Sequence, residues 1–303
     1  MNRFFWLVRR EVWEHKAIWV APLVVIGCVG LLLLTGRVEI GSINFDHTPL
    51  AGLATPEQRI TLLMYAYSAL ALVVDMVMGV IVFFYAIDAL YADRRDRSVL
   101  FWKSLPMSDA ESVLSKFAVA AVAIPLVGLA ATVATQLLVA TGESAKLALA
   151  GEAAGFLWEP RALLGSIGIA IVWCITAILW YAPVVGYLML ASAWAPRSPF
   201  LWAVLPPVGL WVIESVVLGS ERVGDFITER LFVLPYLIRL HGNEPGHKEP
   251  VNDAEKIEHL ANIDLYGLIG DFYRTPDLWL GVVVAGLLLA AAIWVRRYRD
   301  ETS

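Results

Sequence analysis

Six stretches of this chain are too long and too poor in charge to belong anywhere but in a lipid bilayer: 17–35, 64–91, 117–140, 162–193, 200–219 and 278–295. A hydrocarbon layer of roughly 30 Å takes about 20 residues to cross at about 1.5 Å each. Backbone amides in lipid must be bonded within the segment that carries them, so a span is a helix or part of a closed barrel. None of the six alternates apolar and polar residues as a barrel strand does, so the sequence predicts an all-α membrane protein with six transmembrane helices.

The composition agrees. Of 303 residues, 59% are hydrophobic and 17% charged, with a mean hydropathy of +0.67, against about 25% charged in an ordinary soluble domain. A net charge of -5 and a pI near 5.6 argue against a nucleic-acid partner, which calls for a basic face. The two cysteines, Cys28 and Cys174, sit inside separate apolar runs and read as buried free thiols, neither a disulfide nor a metal site. The first apolar run is longer than a secretory core, so it is expected to stay as an anchor.

Orientation follows from lysine and arginine. With the start of the chain in the cytoplasm, the stretches 1–16, 92–116, 194–199 and 296–303 hold 13 of these residues among 55, whereas the short outer loops 36–63 and 141–161 hold 4 among 49. Both termini are therefore expected inside. Residues 1–16 place Phe4, Leu7, Val8 and Val12 on one helical face with Arg3, Arg9, Arg10, Glu14 and Lys16 elsewhere, the pattern of an interfacial helix. Residues 17–303 form the transmembrane domain, with a cytoplasmic loop at 92–116 and a large outer loop at 220–277. The fourth run has 32 uncharged residues and predicts tilt, extension or a kink at Pro183, and Pro125 and the Pro206–Pro207 pair are candidate breaks in the third and fifth helices.

No phosphate-cradling G-x-x-x-x-G-K-[ST] run, nucleophile elbow or zinc motif occurs, so no catalytic residue, resident cofactor or metal is expected. The densest polar feature is the loop after the second span. Ser108 and Glu111 have the spacing of a capping box that would start the third helix. Before them, Leu100, Phe101, Trp102 and Leu105 form an apolar cluster among Arg94, Arg95, Asp96 and Lys103, a short element suited to docking into a groove on another protein.

The run Arg94-Arg95-Asp96 to Ser98, followed by Phe101-Trp102-Lys103-Ser104-Leu105-Pro106-Met107-Ser108 and Leu114-Ser115-Lys116, resembles the permeases of type 2 ABC transporters, with Arg97 standing where the family pattern has glycine. That resemblance implies a coupling helix at this loop, received by a separate ABC ATPase subunit present in two copies, which binds ATP and Mg. Arg94, Arg95, Asp96, Leu100, Phe101, Trp102, Lys103, Ser104, Leu105, Pro106, Ser108 and Glu111 are then the ATPase-coupling residues. It further implies a second permease copy, expected to form a homodimer, in the inner (cytoplasmic) membrane, and export of an amphiphile such as a peptide, a lipid or a hydrophobic antibiotic.

Three acids fall within the predicted spans, and ionisable groups at membrane depth are functional candidates by default. Asp88, one turn before Arg94, is expected to pair with Arg94 or Arg95, while Asp75 and Glu214 lie deeper and are candidates for a substrate path. The outer loop carries His241, His247 and His259 at spacings that read as solvated, and its amphipathic stretch around Phe226, Ile227, Leu231, Leu234 and Ile238 reads as outer helices that form a lid in the family. Two other classes compete with the permease: a membrane scaffold or sensor that recruits a cytoplasmic protein through the same loop, and a gradient-driven secondary transporter using Asp75 and Glu214.

Overall fold

A computed structural model describes residues 3–35, 56–96, 108–232 and 265–299, and every regular element among them is helical. The principal helices are α1 (Arg3–Glu14), α2 (Ala17–Leu34), α3 (Pro56–Arg95), α4 (Asp109–Ala118), α5 (Ile124–Leu149), α6 (Pro160–Trp180), α7 (Ala182–Trp194), α8 (Pro199–Ile213), α9 (Arg222–Leu231), α10 (Leu265–Arg274) and α11 (Pro276–Arg299). Six segments are long and apolar enough to cross a membrane: α2, most of α3, α4 to α5, α6, α8 with the turn after it, and α11. The chain is a multi-pass membrane protein, all-helical in its described residues.

Local chemistry sets several helix ends. Proline opens α3, α6, α8 and α11, where its fixed φ suits the first turn and its missing N–H costs nothing. Ser108 and Glu111 close a full capping box at the start of α4: the Ser108 hydroxyl accepts from the Glu111 amide at 3.1 Å, and the Glu111 carboxylate accepts from the Ser108 amide at 2.9 Å. The prolines inside spans act less severely than their positions suggest. Pro125 breaks nothing; a five-residue π turn, Val119–Ala123, precedes it and absorbs the hydrogen bond that proline cannot make to the residue four earlier, so α4 and α5 run on as one 41-residue rod. Pro206 and Pro207 lie within a continuous α8. The fourth run does break, but at Trp180 and Tyr181 rather than at Pro183, which is the second residue of α7. Its ring excludes the carbonyl four residues back, which moves the discontinuity upstream.

Two rods exceed any bilayer. At about 1.5 Å per residue, the 40 residues of α3 span about 60 Å, twice a hydrocarbon core of roughly 30 Å. The α4 to α5 rod matches it. Around them, α2 packs on α5, α7 on both α3 and α11, and α6 on α3. Ile18, Tyr67, Val113, Val119, Ile124, Val139, Met189 and Ala292 are fully buried in the shared core. A close crossing against backbone occurs at Gly186 of α7, where an added Cβ would lie 3.3 Å from the Leu288 Cβ and 3.4 Å from the Ala285 carbonyl oxygen of α11.

Candidate functional site

Five charged side chains from four helices converge at one end of the bundle. Lys116 of α4 sits between Glu11 of α1, at 3.1 Å, and Asp93 of α3, at 3.4 Å. The second Asp93 oxygen accepts from Arg296 of α11 at 2.9 Å, and the Arg296 Nε lies 3.4 Å from Asp109 at the head of α4. Glu11, Asp93, Lys116 and Arg296 are all buried, with Arg296 only 5% exposed. Tyr85 donates to the other Glu11 oxygen at 3.2 Å, and the His15 ring stands edge-on to Tyr85. Ion pairs this dry are weak evidence of stability as a set, but each partner is costly to remove, because its mate is left buried and uncompensated. The network joins α1, near the start of the chain, to α11, near its end, so both ends of the described chain lie on the same side of the membrane.

Beside the network, α3 is hooked to α7. The Ser192 hydroxyl accepts from the Leu90 and Tyr91 amides at 3.1 and 3.0 Å, and Arg94 donates to the Ser192 and Ala195 carbonyls at 2.6 and 2.9 Å. Arg94 thereby satisfies carbonyls at the C-terminus of α7, where a cation is also favoured by the helix dipole. Arg95 takes the outward side, 3.0 Å from Asp96 and 3.8 Å from Asp88, both pairs well exposed. Of the sequence-predicted coupling residues, Arg94, Arg95, Asp96, Ser108 and Glu111 frame the two roots of the loop. Leu100, Phe101, Trp102, Lys103, Ser104, Leu105 and Pro106 lie outside the described residues.

A second polar and aromatic assembly stands at the opposite end. Trp180, Phe272 and Leu278 form a buried cluster with Trp173, Tyr181 and Tyr273 against it. Over it lies α9, whose Arg230 is buried with its guanidinium 4.1 Å above the Trp180 ring and donates to the Asp277 carbonyl at 3.5 Å. Gly281 makes room for that guanidinium, since any Cβ there would overlap it. Leu278 and Arg296 are eighteen residues apart on α11, about 27 Å, so the two assemblies are separated by about one hydrocarbon thickness.

The two candidate path acids belong to this far end. Asp75 is eighteen residues before Asp93 on the unbroken α3, about level with the aromatic cluster, and it is hydrogen-bonded by the Trp173 side chain. Glu214 opens a five-residue π turn, Glu214–Leu218, that ends in left-handed Gly219. Its two oxygens accept from the Ser220 hydroxyl at 2.5 Å and the Val223 amide at 2.6 Å, which seats a carboxylate on the N-terminus of α9. Asp75 and Glu214 thus have separate partners. His241, His247, His259, Leu234 and Ile238 lie outside the described residues.

Sequence reasoning passed over Glu11, Asp93, Lys116 and Arg296 as site residues. One signal was present: Glu11 falls three and four residues after Val8 and Leu7, on the apolar face of α1, where a carboxylate requires a partner. No family model matches this chain, and neither does any curated protein or any solved structure.

Proposed function

We propose that this chain is the permease subunit of an ATP-driven exporter of the type 2 ABC class, which expels an amphiphilic substrate using ATP hydrolysed by a separate subunit. The observation that carries the reading is the anchoring of the loop between α3 and α4. Its first root is fixed by Arg94 and Ser192 to α7, and its second by Asp109 and Lys116 to α11, α1 and α3. A push on such a loop moves helices, whereas a loop on flexible roots would absorb it. The aromatic and charged residues between the roots, Phe101 and Trp102 with Lys103, have the chemistry of a plug for a groove on a soluble partner. In this reading two copies of the chain face each other, two ATPases bind ATP and Mg beneath them, and closure of the ATPases drives the loops into the bundle.

The test is co-purification from the native membrane followed by ATPase assay. An ATPase is expected to accompany the wild-type chain and to be lost, with hydrolysis down at least about tenfold, in Phe101→Asp and Trp102→Asp, since a buried charge at a docking hot spot costs more than 1.4 kcal/mol. A folded chain that brings down no ATPase, and whose transport instead collapses with the proton gradient, would overturn the reading.

A further inference from the structure

We infer that α7 and α11 act together as a strut that couples the charge network at one end of the bundle to the seating of α9 at the other. This deepens the permease reading, which supplies the use of the strut, but the coupling itself needs no ATPase.

Three sets of contacts carry it. At the near end, α7 is hooked into α3 by the Ser192 hydroxyl and Arg94, and α11 is locked by Arg296 to Asp93. At the far end the same two helices hold α9. The Tyr181 hydroxyl, at the head of α7, donates to the Leu231 carbonyl at 3.1 Å, and Asp277 and Gly281 of α11 receive the Arg230 guanidinium, which also lies on the ring of Trp180, the last residue of α6. Between the ends, Gly186 brings the α7 backbone against Ala285 and the Leu288 Cβ of α11, a close-packed contact that resists sliding of one helix along the other. The 13 residues of α7 span only about 20 Å, and the chain bends at Tyr181 where α6 gives way to them. A displacement at Ser192 therefore arrives at Tyr181 as a rigid shift, and α9 must either follow or lose its seat. Packed interfaces of this kind change between discrete arrangements rather than deform smoothly.

The experiment is amide hydrogen exchange on the full chain in lipid nanodiscs. In Ser192→Ala, exchange is expected to accelerate at least about fivefold in peptides covering 222–231, while 130–140 in α5 stays unchanged. Because thermodynamic coupling is reciprocal, Tyr181→Phe is expected to accelerate exchange in 90–95. Faster exchange confined to 90–95 in Ser192→Ala, with α9 unaltered, overturns the inference. Acceleration everywhere marks a folding defect in that variant, and Tyr181→Phe then decides: faster exchange in 90–95 supports the strut, and no change there refutes it. A wild-type chain that brings down no ATPase, with the exchange coupling intact, would refute the permease reading and leave the strut standing.

Discussion

Lys116 holds two carboxylates at once, Glu11 and Asp93. Lys116→Met preserves the stem and removes the charge, so Asp93 keeps only Arg296 as a cationic partner and the buried Glu11 carboxylate loses its lysine. The expected loss is about 3 to 5 kcal/mol, read as a drop in thermal midpoint of the detergent-solubilised chain, with partial recovery when Glu11→Gln is added. An unchanged midpoint would mean that water reaches the network freely. At this scale the sequence was only partly readable. Glu11 betrayed itself by lying on an apolar face, but Lys116 and Arg296 stand where spans meet their loops, and a cation there reads as ordinary boundary charge. Only the meeting of helices far apart in the chain shows that these two face inward. The same applies to Glu214, whose acceptor role at the α9 terminus depends on a turn that no spacing rule announces.

The helices themselves were legible because length and hydropathy are local properties. Each predicted span contains a helical segment long enough to cross, the fourth being divided between α6 and α7, and the capping box at Ser108 and Glu111 set the start of α4 as its spacing implied. Proline was the weaker guide. It signals a missing hydrogen bond, but whether the helix answers with a π turn, as before Pro125, or a break, as before Pro183, is decided by what packs alongside. The α7 and α11 contact leaves little room at Gly186. Gly186→Val forces a side chain into the space held by Leu288 and Ala285, and a loss of about 1 to 3 kcal/mol is expected from overpacking, measured as a lower thermal midpoint. Gly168→Val, in α6 with open space around its Cβ position, serves as the control that keeps the wild-type midpoint.

For the whole molecule, six crossings and the contact of α1 with α4, and of α11 with α3, put Arg3 and Tyr298 on one side. The count of lysine and arginine leads us to expect the cytoplasm on that side. In a background lacking Cys28 and Cys174, a membrane-impermeant maleimide added to cells with a permeabilised outer envelope is expected to modify Gly151→Cys, between α5 and α6, and to reach Arg3→Cys and Tyr298→Cys only after lysis. The reverse pattern would invert the topology. What the sequence could not convey was depth: a run of apolar residues reports that a helix crosses, not how far its polar ends continue.

That continuation has a mechanical meaning. Because α3 is unbroken from Pro56 to Arg95, a tilt of about 5° about its Asp93 end sweeps its other tip sideways by about 5 Å, given a rod of about 60 Å. The movement needed to open a passage on one side of the membrane can thus be several times larger than the one applied on the other, and the arm that magnifies it is a single helix.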